Sequence, residues 1–175
     1  MNKESWMEKK GWLDYLYYNM GKQNCNFWIA GTYEKNGERK FAKWKKYRDC
    51  VANIDIINLK NNNWKNLEFF NNINQRQILP NEVVLDLEEK DQLIPSVNFL
   101  DKLGWNYYVF STGSRGFHIH IFFSKPLSVQ DKKRVVESFG ADIMKIGEKT
   151  LIALEYSKHW KSGKQKIPWR KEDGV

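Results

Sequence analysis

Asp86 and Glu88 stand one residue apart at the end of the apolar run Val83-Val84-Leu85-Asp86-Leu87-Glu88. If that run is a strand, alternation sends both carboxylates to one face and Leu87 to the other, so the two groups share a site. Like charges that close are costly unless a cation sits between them, and hard divalent ions such as Mg²⁺ or Mn²⁺ favour carboxylate oxygens. The plainer alternative is a solvated strand end running into Glu89-Lys90-Asp91. Downstream lies Thr112-Gly113-Ser114-Arg115-Gly116, a turn with two glycines. Such a turn lets a ligand approach the backbone, its successive amides can form an anion-binding nest, and Arg115 could pair with phosphate oxygens. The three histidines fall in two segments: His118 and His120 share a face of the run after this turn, and His159 lies in Ser157-Lys158-His159-Trp160-Lys161. If a strand extends that far, Ser157, His159 and Lys161 face one side and offer three donors to a triphosphate; otherwise they belong to a basic surface loop.

Positioning these groups requires a scaffold, and the second half of the chain has the clearer pattern. Glu82 to Glu88 reads as a strand, and Leu93 to Leu103 as an amphipathic helix ending at Gly104, with Pro95 tolerable only in its first turn. Tyr107–Ser111 and Phe117–Phe123 form a hairpin around the two-glycine turn. Ser128 with Asp131 resembles a capping box that opens a helix over Val129 to Phe139, and Thr150–Tyr156 reads as a further strand. Strand, helix, strand, strand, helix, strand is the order of an α+β, RNA-recognition-motif-like or ferredoxin-like sandwich. Upstream, the spacing predicts a helix over Glu4 to Met20, then a hairpin of Phe27–Glu34 with Arg39–Trp44 around Asn36-Gly37. The Asn-dense stretch from Asn58 to Gln77 reads as helix or connector. The expected organisation is a single domain over 1–175, with an N-terminal module (1–80) and a motif-bearing core (81–175).

The chain has 175 residues, 41% of them apolar, and 29 Lys+Arg against 21 Asp+Glu give a formal charge of +8. That composition excludes intrinsic disorder, and no apolar run approaches the ~20 residues of a membrane span. A soluble chain without a leader, cytoplasmic or nucleoid-associated, is expected. Cys25 and Cys50 make no zinc spacing with the histidines, so no zinc is expected. The positive balance points to an anionic partner. In Lys40-Phe41-Ala42-Lys43-Trp44-Lys45-Lys46-Tyr47-Arg48, basic residues interleave with aromatics, a combination that neutralises phosphates and stacks bases, unless the aromatics pack inward. A second basic and aromatic cluster surrounds Trp160, Lys164, Lys166, Trp169 and Arg170.

Taken together and in order, the motifs resemble those of the archaeo-eukaryotic primase superfamily, the family of primase small catalytic subunits and primase-polymerases. Its acid-x-acid motif is matched by Asp86-Leu87-Glu88, and its small-Gly-x-Arg-Gly-aromatic-His motif by Thr112 to His118. An acid upstream of Ser-x-His-x-Lys-Ser-Gly is matched by Asp142 and by Ser157 to Gly163, with Lys166-Ile167-Pro168 following. The resemblance implies that Asp86, Glu88 and Asp142, with Glu148 a substitute for the last, hold two Mg²⁺ or Mn²⁺ ions. It also implies that Thr112, Ser114, Arg115, His118, Ser157, His159 and Lys161 contact the phosphates of an incoming nucleotide. His120 has no matching role, and Glu155 stands where the family commonly has proline. The function implied is a DNA primase or primase-polymerase, a nucleotidyltransferase that condenses nucleoside triphosphates on single-stranded DNA. A primase large subunit or a helicase would be a partner. The rival expectation is a catalytically inactive nucleic-acid-binding module of a replication complex.

Overall fold

A computed structural model describes residues 3–19, 26–29, 32–41, 53–55, 67–147, 150–159 and 161–174. Helix α1 (Lys3–Asn19) precedes strand β1 (Asn26–Trp28), the hairpin strands β2 (Thr32–Lys35) and β3 (Glu38–Phe41), and β4 (Asn53–Asp55). A short helix α2 (Leu67–Asn72) and β5 (Gln75–Gln77) lead to β6 (Glu82–Leu87), α3 (Lys90–Leu103), β7 (Asn106–Ser111) and β8 (Phe117–Phe122). There follow α4 (Val129–Ser138), a 3-10 turn (Ile143–Lys145), β9 (Leu151–Ala153), β10 (Ile167–Pro168) and a closing 3-10 turn (Lys171–Gly174). Among the described residues, no helix is long and apolar enough to cross a membrane.

Two antiparallel sheets organise these elements, in the orders β10-β7-β8-β6 and β4-β1-β5-β9. The period of two along β6 and β8 divides the first sheet. Val83, Leu85, Leu87, Ile119 and Ile121 turn to one face and pack on Leu93, Val97 and Leu100 of α3 and Val136 of α4. Phe110 and Phe122 turn to the other and pack on Trp12, Leu13 and Leu16 of α1 and on Phe27, Phe70 and Ile73. Burying each such side chain contributes roughly 1.5–3 kcal/mol, so neither face can be released to solvent without unfolding the sheet.

Several expectations need correction. The Asn36-Gly37 turn, with φ of 55° and 74°, joins β2 to β3, whereas Phe27 and Trp28 form the separate β1 in the other sheet. Local propensity found the strands but not the partner, because pairing is a tertiary choice. Helix α3 starts at Lys90, which puts Pro95 in the second turn, where its ring lies on an exposed flank. Strand, helix, strand, strand, helix, strand is the chain order from Glu82, yet β9 pairs with β5 in the second sheet, and the edge place beside β7 goes to β10. The run after Thr150 ends as a strand at Ala153, because Glu155 and Tyr156 turn, with Tyr156 at a left-handed φ of 61°.

That turn drives Glu155 inward, to the place where both sheets meet. Its carboxylate accepts hydrogen bonds from Trp12 Nε1 (2.7 Å), from Arg76 Nε (2.9 Å) and from Lys166 Nζ (3.0 Å). Arg76 of β5 also makes a forked pair with Glu82 of β6 at 2.8 and 2.7 Å. His120 Nδ1 lies 2.7 Å from the same Glu82 carboxylate. Arg76, Glu82, His120 and Glu155 have no exposed side-chain surface, and Lys166 has 1%. Two cations and two anions thus balance inside the protein. Desolvating each costs several kcal/mol, which only the closed set of contacts offsets.

Replacing Arg76 with Met leaves both carboxylates buried and short of a cation. The expected loss is about 3–5 kcal/mol by urea unfolding. Arg76→Lys should fall in between, since an ammonium keeps the charge but cannot make the forked contacts.

Candidate active site

Register across the first sheet places Asp86 opposite His118, and His118 opposite Phe110; two residues along, Val84 lies opposite His120. Asp86 Oδ1 is 3.5 Å from His118 Nε2, and its Oδ2 is 4.0 Å from Lys145 Nζ on the 3-10 turn. Lys166 bridges the histidines, its Nζ lying 3.0 Å from His118 Nδ1 and 3.2 Å from His120 Nε2, with a further bond to the Ala153 carbonyl at 2.9 Å. An ammonium only donates, so His118 Nδ1 must accept, which puts the proton of the neutral ring on Nε2, toward Asp86. His120 has neighbours of both kinds at each nitrogen: Glu82 Oε1 (2.7 Å) and Arg76 Nη2 (3.3 Å) at Nδ1, Lys166 Nζ (3.2 Å) and Glu155 Oε1 (3.1 Å) at Nε2.

The electrostatics agree with these roles. Burial, then the Lys166 charge, pushes His118 down to about 3, and burial likewise depresses His120. Burial also lowers Lys166, to about 8, against the pull of Glu155. For Asp86, burial opposes ionisation, but the hydrogen bond from His118 together with Lys145 and Lys166 outweighs it and holds the carboxyl below its usual range. The site therefore offers an ionised carboxylate, 31% exposed, with a neutral imidazole oriented behind it. Glu88, just past the end of β6, is exposed.

The two glycines of the turn bring the remaining motif segments to Asp86. Gly116 has φ of 94°, and a Cβ there would meet the Leu87 carbonyl oxygen at 2.4 Å and Glu88 Cα at 3.1 Å. Gly113 has φ of 74°, and a Cβ there would meet the Lys164 carbonyl oxygen at 2.6 Å and His159 Cβ at 3.2 Å. One turn thus presses against the acid-bearing strand end on one side and the His159 loop on the other. Thr112 ties the turn from within: its hydroxyl donates to the Arg115 carbonyl (2.9 Å) and accepts from the Ser114 amide (3.4 Å), and the side chain is buried. Ser114 and Arg115 are exposed at the tip.

The alternating face expected of Ser157, His159 and Lys161 does not form, because the strand has ended. Ser157 is buried and its hydroxyl donates to the Ile73 carbonyl at 2.9 Å, so it anchors the loop. The loop closes on itself through His159 N–H to Lys164 O (2.7 Å) and Lys166 N–H to Ser157 O (2.9 Å). His159 Nδ1 accepts the amides of Lys161 (3.3 Å) and Ser162 (3.2 Å), which leaves the proton of the neutral ring on Nε2 as a donor. Lys161 is exposed beside it.

Asp142 is exposed and caps the 3-10 turn by accepting the Met144 amide at 2.9 Å, while Lys145 of that turn is the group that reaches Asp86. Among the described residues, no three His, Cys, Asp or Glu side chains converge as a metal cage. Glu148, the substitute acid, lies outside the described residues, as do Lys43, Trp44, Lys45, Lys46, Tyr47, Arg48 and Trp160. Lys40 is exposed at the end of β3, paired with Glu38.

Sequence reasoning missed Arg76, Lys145, Glu155 and Lys166 as parts of the site. Lys166 was grouped with a surface cluster, and it is buried. Glu155 in place of a proline was the available signal, since a carboxylate next to an apolar run must find partners if it is buried.

Gly116→Ala combines a forbidden φ with a backbone clash, and a loss of more than about 2 kcal/mol is expected, against almost none for Gly140→Ala's open surroundings beyond its own φ cost of about 1 kcal/mol. The buried network also sets a pH dependence. Glu82 and Glu155 titrate below their ordinary 4.5 when folded, and His120 below its ordinary 6.5. In each case the unfolded chain takes up protons at higher pH than the folded one, so stability falls as pH drops. The urea midpoint should decline below about pH 6.5 and more steeply below about 4.5. A midpoint constant from pH 7 to 4 would contradict the assignment.

No protein-family model matches this chain, and the curated proteins yield no sequence match. Solved structures do match in fold. The crystal structure of primase RepB' superposes with a TM-score of 0.57 at 9% identity, over 94% of this chain and 57% of that one. The catalytic domain of primase RepB' in complex with initiator DNA gives 0.54 at 10% identity, over 94% of this chain and 86% of that one. The polymerase domain from Mycobacterium tuberculosis ligase D in complex with DNA gives 0.48 at 14% identity, over 93% and 80%. This chain therefore spans little more than half the length of the first. The α+β fold expected from the motifs is the fold found, and it is the fold of the catalytic domain of primase RepB'.

Proposed function

We infer that this protein is a template-directed nucleotidyltransferase, a DNA primase or primase-polymerase, and that 1–175 act as one catalytic domain with the motifs in 81–175. The observation that carries the reading is the convergence enforced by Gly113 and Gly116. One turn abuts both the Asp86-Leu87-Glu88 strand end and the His159 loop, which supports reading the first as a metal-binding acid pair and the second as a set of phosphate donors beside it.

The donor set suits a hard divalent cation. Asp86 is ionised and partly open to solvent, and Glu88 follows it on the surface. Asp86 and Glu88 would hold Mg²⁺ or Mn²⁺, and Asp142, the third acid of the resemblance, now caps its turn. Bound there, divalent ions supply a lowered pKa for an attacking 3′-hydroxyl and neutralise charge on the α-phosphate and the departing pyrophosphate. The chain's own residues do the positioning. His118 holds the Asp86 carboxylate through Nε2–H, and Lys166 holds His118. Arg115, the amides at the turn's tip, His159 Nε2–H and Lys161 would bind the β- and γ-phosphates. Little covalent chemistry falls to the protein, so alignment and charge neutralisation account for the rate. Lys40 and the basic, aromatic segment 43–48 would bind the single-stranded DNA template, with a large subunit or helicase as a further partner.

The test is product formation from labelled nucleoside triphosphates on a single-stranded template with Mg²⁺ or Mn²⁺. The native chain should extend or start strands, and the Asp86→Ala, Glu88→Ala double variant should lose about 10³-fold or more. Equal product from both, or none from the native chain, would leave the reading of an inactive nucleic-acid-binding module.

A further inference from the structure

One charged group beside Asp86 has no task in the reaction outlined above. Lys145 Nζ lies 4.0 Å from Asp86 Oδ2, the two side chains being 28% and 31% exposed, while His118 Nε2 faces Oδ1 at 3.5 Å. Among the described residues, Asp86 is the one ionic partner of Lys145. The other cation that acts on Asp86 is Lys166, and that ammonium is fixed by His118, His120, the Ala153 carbonyl and Glu155. Only Lys145 is placed to come and go.

The turn that carries it is anchored on both sides. Ala141 and Ile146 pack on the apolar core beneath β6, and Asp142 closes the turn by accepting the Met144 amide at 2.9 Å. The backbone of Ile143–Lys145 is thereby held near β6, and the ammonium reaches Asp86 on a flexible four-carbon stem. At 4.0 Å and partly solvated, the pair holds that head only weakly. The stem also has open surroundings, since Ile143 and Met144 on the same turn are 43% and 75% exposed.

Resting on the reading of Asp86 and Glu88 as metal ligands, we propose that Lys145 is a displaceable counter-ion: its ammonium neutralises Asp86 until a divalent cation arrives, and the cation takes Oδ2 as Lys145 swings out to solvent. Oδ2 is the oxygen at stake because Oδ1 faces the His118 N–H. An ammonium and a divalent ion on one carboxylate oxygen repel each other, more strongly where water is partly excluded, so one of them has to leave. The lysine leaves, because its head is readily hydrated and its stem is long. One cation replaces another, the carboxylate stays ionised throughout, and no covalent bond changes. The consequence is a weaker hold on free metal than a bare acid pair would have. If Lys145 instead served only the phosphates, removing it would leave metal affinity as it is.

The experiment reads metal binding with no nucleotide or template present, so it can fail while strands are made and succeed while none are. Electron paramagnetic resonance of free Mn²⁺ would measure affinity for the full chain, Lys145→Met, Lys145→Arg, Lys102→Met and the Asp86→Ala, Glu88→Ala double variant. Lys145→Met should bind Mn²⁺ about threefold more tightly than the native chain, and Lys145→Arg about as the native chain does. Lys102→Met removes an exposed charge from the last turn of α3, where water and salt screen it, and should leave the affinity unchanged. A second readout follows the amine itself, and it decides the matter if Lys145→Met does not fold. In trace acetylation read by mass spectrometry, Mg²⁺ should speed labelling of Lys145 about threefold in the native chain and have no effect in the double variant. Equal or weaker Mn²⁺ affinity in Lys145→Met, an equal gain in Lys102→Met, or labelling of Lys145 that ignores Mg²⁺ would each overturn the proposal.

Discussion

Lys166 has three protons and four acceptors around it: His118 Nδ1, His120 Nε2, the Ala153 carbonyl and Glu155 Oε1. The arrangement at the site follows from how a buried ammonium satisfies that geometry. It cannot be exposed without taking one of two cations from Glu155, and it cannot be removed without taking the donor from His118 Nδ1. Burial, with this charge added, keeps both rings neutral, and a neutral His118 with its proton on Nε2 supports an ionised Asp86. Through Glu155 the same ammonium connects to Trp12 of α1 and Arg76 of β5, so the orientation of the Asp86 carboxylate depends on contacts contributed by both sheets and the first helix.

The second constraint is steric. At Gly113 and Gly116, neighbouring backbone atoms approach to distances that a Cβ would violate. The glycines serve the packing of three chain segments as much as the flexibility of a turn. Thr112 and Ser157 share in this: both present hydroxyls that a sequence reader assigns to a ligand, and both spend them on backbone carbonyls that lock the segments together. Among these motif groups, Ser114, Arg115 and Lys161 are exposed and His159 is half-buried.

Fold similarity at 9–10% identity shows how little sequence this architecture demands. What a sheet of this kind needs is alternation on one face, glycines where segments touch, and a way to satisfy the polar groups where the two sheets meet. Here the last need is met by a closed ion network instead of an apolar seam. Such a network adds little net stability, and its value lies in admitting one mutual arrangement of the elements that compose it.

The local elements follow from short-range sequence pattern. The alternation of EVVLDL and FHIHIF, the Ser128 cap and Gly104 after an amphipathic stretch all rest on neighbours within a few residues, and the structure has them at those positions. The motif order pointed to the primase-type fold for the same reason, since spacing along the chain is a sequence property. Long-range packing sets the pairing of β1, the displacement of β9 into the second sheet, and the turn at Tyr156 that ends the strand before Ser157. It alone converted Glu155 and Lys166 from apparent surface charges into buried partners, and set Lys145, not Asp142, beside Asp86. Whether a charge is solvated or buried depends on what packs over it, and those residues lie up to 143 positions away along the chain.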